Sequence, residues 1–365
     1  MHTYGFISLG LIGGSVARAI REKNPDAKII AYNRTAASLE EAVADGVVDT
    51  PVYEEASFEL FRECDMIFLC APVELNEHFM EALIPYLRED AILTDVGSVK
   101  SNIHKAAEKL GLSGRFIGGH PMAGSERVGY SNSKASILKN AYYIITPSEG
   151  APAQKIKEYE QLVKSFGCIP LILNYERHDY AVAAISHLPH LIAASLVTLV
   201  EDSDSSDGLM KMIAAGGFKD ITRIASSSSA MWEQICMSNT ENIRSLLKDY
   251  MSSLQSIDES LEGDRGQDIY DLFTKARTYR DSMNVPGSGA IQQLPVLTID
   301  IADEPGALAA IATILALSGI SIKNIGILHN REYRGGDLKI EFETKEDLEK
   351  AERILTDKNY TIHRK

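Results

Sequence analysis

The sequence has little of what marks a chain out for metal, membrane or nucleic acid. Its 365 residues include four cysteines, Cys64, Cys70, Cys168 and Cys236. They lie far apart with no metal-ligand spacing, and Cys70 and Cys168 fall in apolar, strand-like runs. Free buried thiols in a reducing compartment are the reading, and no metal site is expected. No apolar run approaches the roughly 20 residues of a membrane span. The N-terminus enters a strand at once, without the basic start and apolar core of a secretory leader. The cytoplasm is therefore the expected compartment, and a membrane is not an expected partner. Basic residues are outnumbered, 37 against 51, for a net charge of −14. That deficit argues against nucleic acid as a partner, though a few local arginines still serve an anionic small molecule.

The length predicts two or three domains, and at 45% hydrophobic and 24% charged the composition is that of an ordinary globular protein. An apolar strand, residues 3–8, runs into Ser8-Leu9-Gly10-Leu11-Ile12-Gly13-Gly14-Ser15. This is the dinucleotide-binding pattern with Ser8 in the place of its first glycine. Gly10 lets backbone approach a pyrophosphate, and Gly13 lets the next helix pack on the strand. The helix from Ile12, preceded by Leu11, offers its N-terminal amides to phosphate. The second strand, Lys28–Tyr32, ends in Asn33-Arg34-Thr35. An acidic residue there would bind the ribose hydroxyls of NAD; an arginine can take the 2′-phosphate of NADP. Asn33 and Arg34 leave both cofactors open.

Strands and helices then alternate: strands at 66–71, 91–95, 141–145 and 169–173, helices at 40–45, 76–87 and 102–110. The pattern predicts a parallel sheet with right-handed crossovers. Between them, Arg115-Phe116-Ile117 leads into Gly118-Gly119-His120-Pro121-Met122-Ala123-Gly124-Ser125-Glu126. Ligands of open α/β sheets bind beyond the carboxyl ends of strands, which makes His120 a candidate base. Ser98, in Asp95-Val96-Gly97-Ser98-Val99-Lys100, comes from another such end. It reads either as a helix N-cap or as a hydroxyl orienting substrate and imidazole.

From about Asn174 long helical patterns run to about Met283. Ser186-His187-Leu188-Pro189-His190 places two histidines on one side of a helical turn, with Pro189 marking a start or a kink. His187 is balanced between helix–helix hydrogen bonding and substrate contact; for His190 the structural reading is favoured. Gly216-Gly217-Phe218-Lys219-Asp220-Ile221-Thr222-Arg223 reads either as an ordinary intrahelical Asp–Arg pair or as a guanidinium fork for a substrate carboxylate. Trp232, the only tryptophan, lies nine residues on. Residues 286–293 form a linker by composition, and 294–365 read βαββαβ, the ferredoxin-like arrangement.

Taken together these stretches resemble the prephenate dehydrogenase family with a C-terminal ACT domain. They occur in that family's order over the first 285 residues, and Asp303-Glu304-Pro305-Gly306 with Gly319-Ile320-Ser321-Ile322 is similar to ACT domains. The resemblance implies a Rossmann-like α/β domain (1–173), an all-α dimerisation domain that completes the site (174–285), and an α+β regulatory domain (294–365). It implies NAD rather than NADP. The implied reaction is oxidative decarboxylation of prephenate to 4-hydroxyphenylpyruvate. His120 is implied as the base, Ser98 as its hydrogen-bonding partner and Arg223 as the carboxylate binder. Glu126, His187, Gly216, Asp220 and Trp232 fall near the substrate or its gate. Asp303, Pro305, Gly306 and Asn324 fall to an amino-acid effector, tyrosine by resemblance. A homodimer is implied. Two alternatives stand beside this reading: an arogenate or other β-hydroxyacid dehydrogenase, and a non-catalytic amino-acid sensor retaining the fold.

Overall fold

The computed structural model describes residues 2–124, 127–283, 294–302, 304–328 and 336–363. By internal contacts the chain divides into two compact units, residues 1–275 and 276–365.

In the first unit the opening strands are β1 (Thr3–Ile7), β2 (Lys28–Tyr32), β3 (Thr50–Val52), β4 (Met66–Leu69) and β5 (Ile92–Asp95). They are all parallel, in the order β3-β2-β1-β4-β5. Side chains alternate between two buried layers, as a strand's period of two requires. Tyr4, Phe6, Ile29, Ala31 and Phe68 pack on one face; Ile7, Ile30, Tyr32, Ile67 and Leu69 pack on the other. Intervening helices are α1 (Leu11–Lys23), α2 (Ala36–Ala44), α3 (Val73–Leu83) and α4 (Ser101–Lys109). This is the doubly wound arrangement, and strand order reverses beside β1, where such sheets open a crevice for a dinucleotide.

A parallel bridge between Leu93 and Phe116 continues the sheet from β5 toward β6 (Ile117–Pro121). There the parallel pattern expected from the alternation breaks: β7 (Tyr142–Pro147) is antiparallel to β6. Among the described residues no crossover helix separates β6 from β7, only short 3₁₀ turns. A parallel partner needs a crossover connection, so the chain returns in the opposite sense. Helix α5 (Ala153–Ser165) restores the crossover, and β8 (Ile169–Ile172) lies parallel to β7 at the edge.

The two glycines before His120 are demanded by packing. A Cβ on Gly119 would stand 2.7 Å from the Asp95 carbonyl oxygen, and one on Gly118 would press on Thr146 and on His104 Nε2.

The helical part comprises α6 (Tyr175–Val182), α7 (Leu188–Ser203), α8 (Leu209–Ile213), α9 (Gly216–Thr222), α10 (Ser229–Ser238), α11 (Thr240–Glu262) and α12 (Gly266–Ser282), the last running across the division between units. Asn174 caps α6 through its side chain, and Ser228 caps α10 in the same way. A π-helical turn, Ala183–His187, joins α6 to α7. The result is a continuous helix, Tyr175–Ser203, of 29 residues with mean hydropathy 1.6 over its apolar window. By length and composition alone it is long enough to cross a membrane, which corrects the expectation that no run would be. Ser186, His187, Pro189 and His190 interrupt the apolar letters, and the helix runs through them. Its buried positions include His178, Asp179 and His187, polar groups turned into the unit's interior.

In the second unit β9 (Val296–Ile301), α13 (Ala307–Leu317), β10 (Ile322–Leu328), β11 (Gly336–Phe342), α14 (Lys345–Asp357) and β12 (Ile362–His363) give βαββαβ. The sheet is antiparallel in the order β10-β11-β9-β12, the ferredoxin-like topology predicted. Leu297, Ile299, Leu338 and Ile340 meet Ile311, Leu315, Ala351 and Leu355 from the two helices.

Substituting Gly119→Ala should overpack the junction with β5 and cost about 1–3 kcal/mol. A urea midpoint equal to that of the wild type would show that the junction has slack.

Candidate active site

The Gly-rich turn after β1 has the geometry its sequence suggests. Ser8 adopts φ +76°, the left-handed conformation for which glycine is the usual occupant. Serine is held there by neighbours. Its N–H donates to the Tyr32 carbonyl at 2.8 Å, and its hydroxyl donates to Asn33 Oδ1 at 3.3 Å. Gly10 precedes the first turn of α1, and a Cβ added there would meet nothing within 4 Å. Gly13 is the opposite case, with a Cβ falling 2.8 Å from Cys70 Cβ at the end of β4. One glycine keeps space open at a helix N-terminus and the other lets helix and strand touch. Both fit a bound pyrophosphate, which Leu11 and Ile12 of the first turn would receive.

Asn33 has another task. Its Oδ1 also accepts the Leu9 N–H at 3.1 Å, and its Nδ2 donates to the Thr35 carbonyl at 3.0 Å. The side chain therefore laces the end of β2 to the Gly-rich turn. Arg34 is exposed beside it.

At the carboxyl ends of β5 and β6 a second construction is entirely buried. Asp95 accepts the Gly97 N–H at 2.9 Å and the Gly119 N–H at 3.1 Å. Lys100, wholly buried, pairs with Asp95 and donates to the Gly119 carbonyl at 2.9 Å. Burial pulls the Lys100 amine down, against the attraction of Asp95. This pair clamps the 96–100 loop, which carries Ser98, to the strand that carries His120.

His120 is buried at the end of β6, and its Nδ1 lies 2.8 Å from His178 Nε2. His178 Nδ1 lies 2.8 Å from Asp179 Oδ1. Asp179 also accepts the Lys100 N–H at 2.8 Å and the Ser101 N–H at 2.7 Å. It thereby caps α4 from a distant segment and takes the role that Ser98 might have had; the observed N-cap, Lys100, makes no side-chain capping bond. Burial alone would raise Asp179, but the His178, Ser101 and Lys100 hydrogen bonds hold it below the ordinary carboxylate value. Burial, then the neighbouring His178, Lys100 and His187, push His120 well below the usual imidazole value. It is a neutral acceptor at neutral pH. Ser98 is half-buried, and its hydroxyl makes no hydrogen bond among the described residues.

His187, at the end of the π turn, joins the same interior. Its Nδ1 is 3.2 Å from Asn239 Nδ2, which donates to the Asp179 carbonyl at 2.8 Å. Trp232 stacks on His190 at 3.8 Å and meets His187 edge-on at 6.0 Å. His190 also bonds back to the Ser186 carbonyl at 2.8 Å, in line with its structural reading. A π turn is an uncommon device that often marks a functional position; here it sets His187.

Gly216, Asp220 and Arg223 are exposed, on α9 and the turn that follows it, packed along α7. Glu126 lies outside the described residues, as does Asp303. In the second unit Pro305 is exposed, Gly306 precedes α13 with φ +94°, and Asn324 Nδ2 donates to Glu341 Oε2 at 3.3 Å. Sequence reasoning missed His178, Asp179 and Asn239. The His178-Asp179 pair follows Tyr175-Glu176-Arg177 in the first turns of a helix and reads as a solvated charged face. Only the fold buries it.

Residues 16–169 match the family described as prephenate dehydrogenase, nucleotide-binding domain, and residues 174–275 match prephenate dehydrogenase, dimerization domain. A prephenate dehydrogenase of Bacillus subtilis is 35% identical over 95% of this chain and 94% of its own length. One from Lactococcus lactis is 32% identical over 96% of both. The chain belongs to the prephenate dehydrogenase family. It is thus a nicotinamide-dependent dehydrogenase. Among solved structures, the prephenate dehydrogenase of A. aeolicus in complex with hydroxyphenyl propionate and NAD+ superposes with a TM-score of 0.73 at 29% identity. It covers 78% of this chain and 98% of that one. Synechocystis arogenate dehydrogenase gives 0.70 at 30% identity, over 77% and 99%.

The buried imidazoles carry a pH signature. Burial, then Lys100, pushes His104 down to about 3, and burial pushes His187 down to about 4. Unfolded imidazoles bind protons near 6.5, so below that value the unfolded chain holds more protons than the folded one. Stability should therefore fall as pH drops from about 6.5 toward about 4. Calorimetry should show Tm declining through that window; a Tm higher at pH 5 than at pH 7 would contradict the burial of these rings as neutral bases.

Proposed function

We propose that this enzyme oxidises and decarboxylates prephenate to 4-hydroxyphenylpyruvate with NAD, and that His120 is its base. The observation that carries the reading is a buried, neutral histidine at the same sheet edge as the Gly10 turn. When bound, NAD accepts the hydride from the substrate's carbinol carbon. His120 takes the proton of the carbinol hydroxyl, for which a neutral imidazole is suited at neutral pH. The ring carboxylate departs as carbon dioxide, and its bonding electrons complete the aromatic ring. Ser98, from the clamped loop, would hydrogen-bond the hydroxyl. The Arg223 guanidinium would receive a carboxylate, with Gly216, Asp220, Trp232, His187 and Glu126 around the substrate or its entrance. Residues 1–173 would hold the cofactor and 174–285 the substrate.

Pairing through the helical part gives a homodimer in this reading, supported by exposed Ile185, Leu199, Met251, Leu254 and Phe273. The ferredoxin-like unit would act as an ACT domain binding tyrosine, with Asp303, Pro305, Gly306 and Asn324 as its contact region, and the enzyme would work in the cytoplasm. Tyrosine should then raise Tm and lower turnover; no effect on either would remove tyrosine as the effector.

His120→Asn should lower kcat by about 10²–10⁴ while NAD binding, followed by calorimetric titration, stays intact. Unchanged turnover would sink the assignment of the base. Arg223→Ala should raise KM for prephenate far more than it lowers kcat, and an unaltered KM would remove its carboxylate role.

A further inference from the structure

The bonds behind His120 determine more than its position. Asp179 receives two backbone N–H groups, from Lys100 and Ser101, at 2.8 and 2.7 Å. Both carboxylate oxygens are thereby acceptors, so His178 Nδ1, at 2.8 Å from Oδ1, must carry a proton. With one proton on the ring, placed on Nδ1, His178 is bare at Nε2. That bare nitrogen lies 2.8 Å from His120 Nδ1, which must be the donor. A neutral His120 with its proton on Nδ1 is bare at Nε2, the nitrogen on the far side of the ring. The two amides at the start of α4 fix the direction of the first bond in the row, and a single proton on each ring carries that direction to His120.

We propose that Asp179 and His178 are positioning residues that lock His120 in the tautomer with Nε2 as the base and share the positive charge when it accepts the substrate's proton. The proposal rests on His120 being the base. It assigns the proton to Nε2 and leaves Nδ1 as a permanent donor to His178, with no proton moved beyond His120. The same carboxylate holds the first turn of α4, just beyond the Ser98 loop. Hydroxyl loop and imidazole are therefore registered against one group. The charged and titratable groups around His120 come from four elements: Asp95 of β5, Lys100 of the following loop, His178 and Asp179 of α6, and His187 of the π turn. Asp95 and Lys100 neutralise each other, so Asp179 is the anion left facing the row.

Three measurements test this. In protein carrying ¹⁵N-histidine, with the His120 signals identified by their loss in His120→Asn, His120 should show a protonated Nδ1 and a bare Nε2; a proton on Nε2 overturns the proposal. His178→Gln presents an acceptor where Nε2 stood, whereas His178→Leu keeps the bulk alone. The Gln variant should retain at least about tenfold more kcat than the Leu variant. Equal kcat in the two overturns the proposal, because packing alone would not separate them. Asp179→Asn should lower kcat by about 10²–10⁴ with KM values for prephenate and NAD within about threefold. It should also move the acid limb of kcat/KM to lower pH, because the imidazolium loses its anion. Unchanged kcat and an unmoved limb in folded Asp179→Asn protein overturn the relay. If His120→Asn is inactive while the His178 and Asp179 variants keep full activity, the base stands and the relay falls. If His120→Asn is itself active, the functional reading fails first.

Discussion

A carboxylate without water around it has to be surrounded by donors, and Asp179 satisfies that condition with an imidazole and two backbone amides. Those donors come from parts of the chain far apart in sequence. The imidazole belongs to α6, while the amides open α4 just past the Ser98 loop. Meeting one electrostatic requirement therefore docks the helical segment onto the carboxyl edge of the sheet. A few residues away Asp95 repeats the solution with the Gly97 and Gly119 amides and the Lys100 amine. Removing one partner of such a buried pair leaves an uncompensated charge, at a cost of about 3–5 kcal/mol. These two carboxylates tie the site's loops, strands and helices together.

The cofactor edge is built on a different economy. Open space at Gly10 and contact at Gly13 follow from the absence of a side chain at both positions. Ser8 supplies the sharp turn without glycine because Asn33 and the Tyr32 carbonyl hold its hydroxyl and amide. The departure from the usual pattern at the first glycine and the departure at the end of β2 are thus one adaptation: an asparagine in place of an acid stabilises a serine in place of a glycine.

Much of this was legible in the letters. The Gly-rich turn, the strand–helix alternation and the βαββαβ tail announce themselves through local periodicity and turn chemistry, and His120 stands out because Gly118 and Gly119 precede it. What was not legible depends on tertiary placement. The charged run Glu176-Arg177-His178-Asp179 looks like a solvated first turn, yet its last two residues are fully buried. Asn33 stands where an acid would meet the ribose, and the letters do not show that its side chain also ties the Gly-rich turn to β2. The reversal of β7 against β6 goes with a connection whose described residues form 3₁₀ turns rather than a crossover helix, and the 29-residue helix from Tyr175 hides behind its polar interruptions. Arg223, Asp220 and Gly216 were read as one motif and do lie together, on an exposed segment along α7.

In the proposed reaction a buried imidazole, neutral because of its surroundings, drives a nicotinamide-dependent oxidation. The most direct measurement is the pH dependence of kcat/KM for prephenate, followed by the absorbance of reduced nicotinamide with NAD as acceptor. The account predicts formation of reduced cofactor, with an acid limb whose midpoint lies below the 6.5 of an ordinary histidine. Absence of reduced cofactor from folded protein, or an acid limb centred above 6.5, would contradict it.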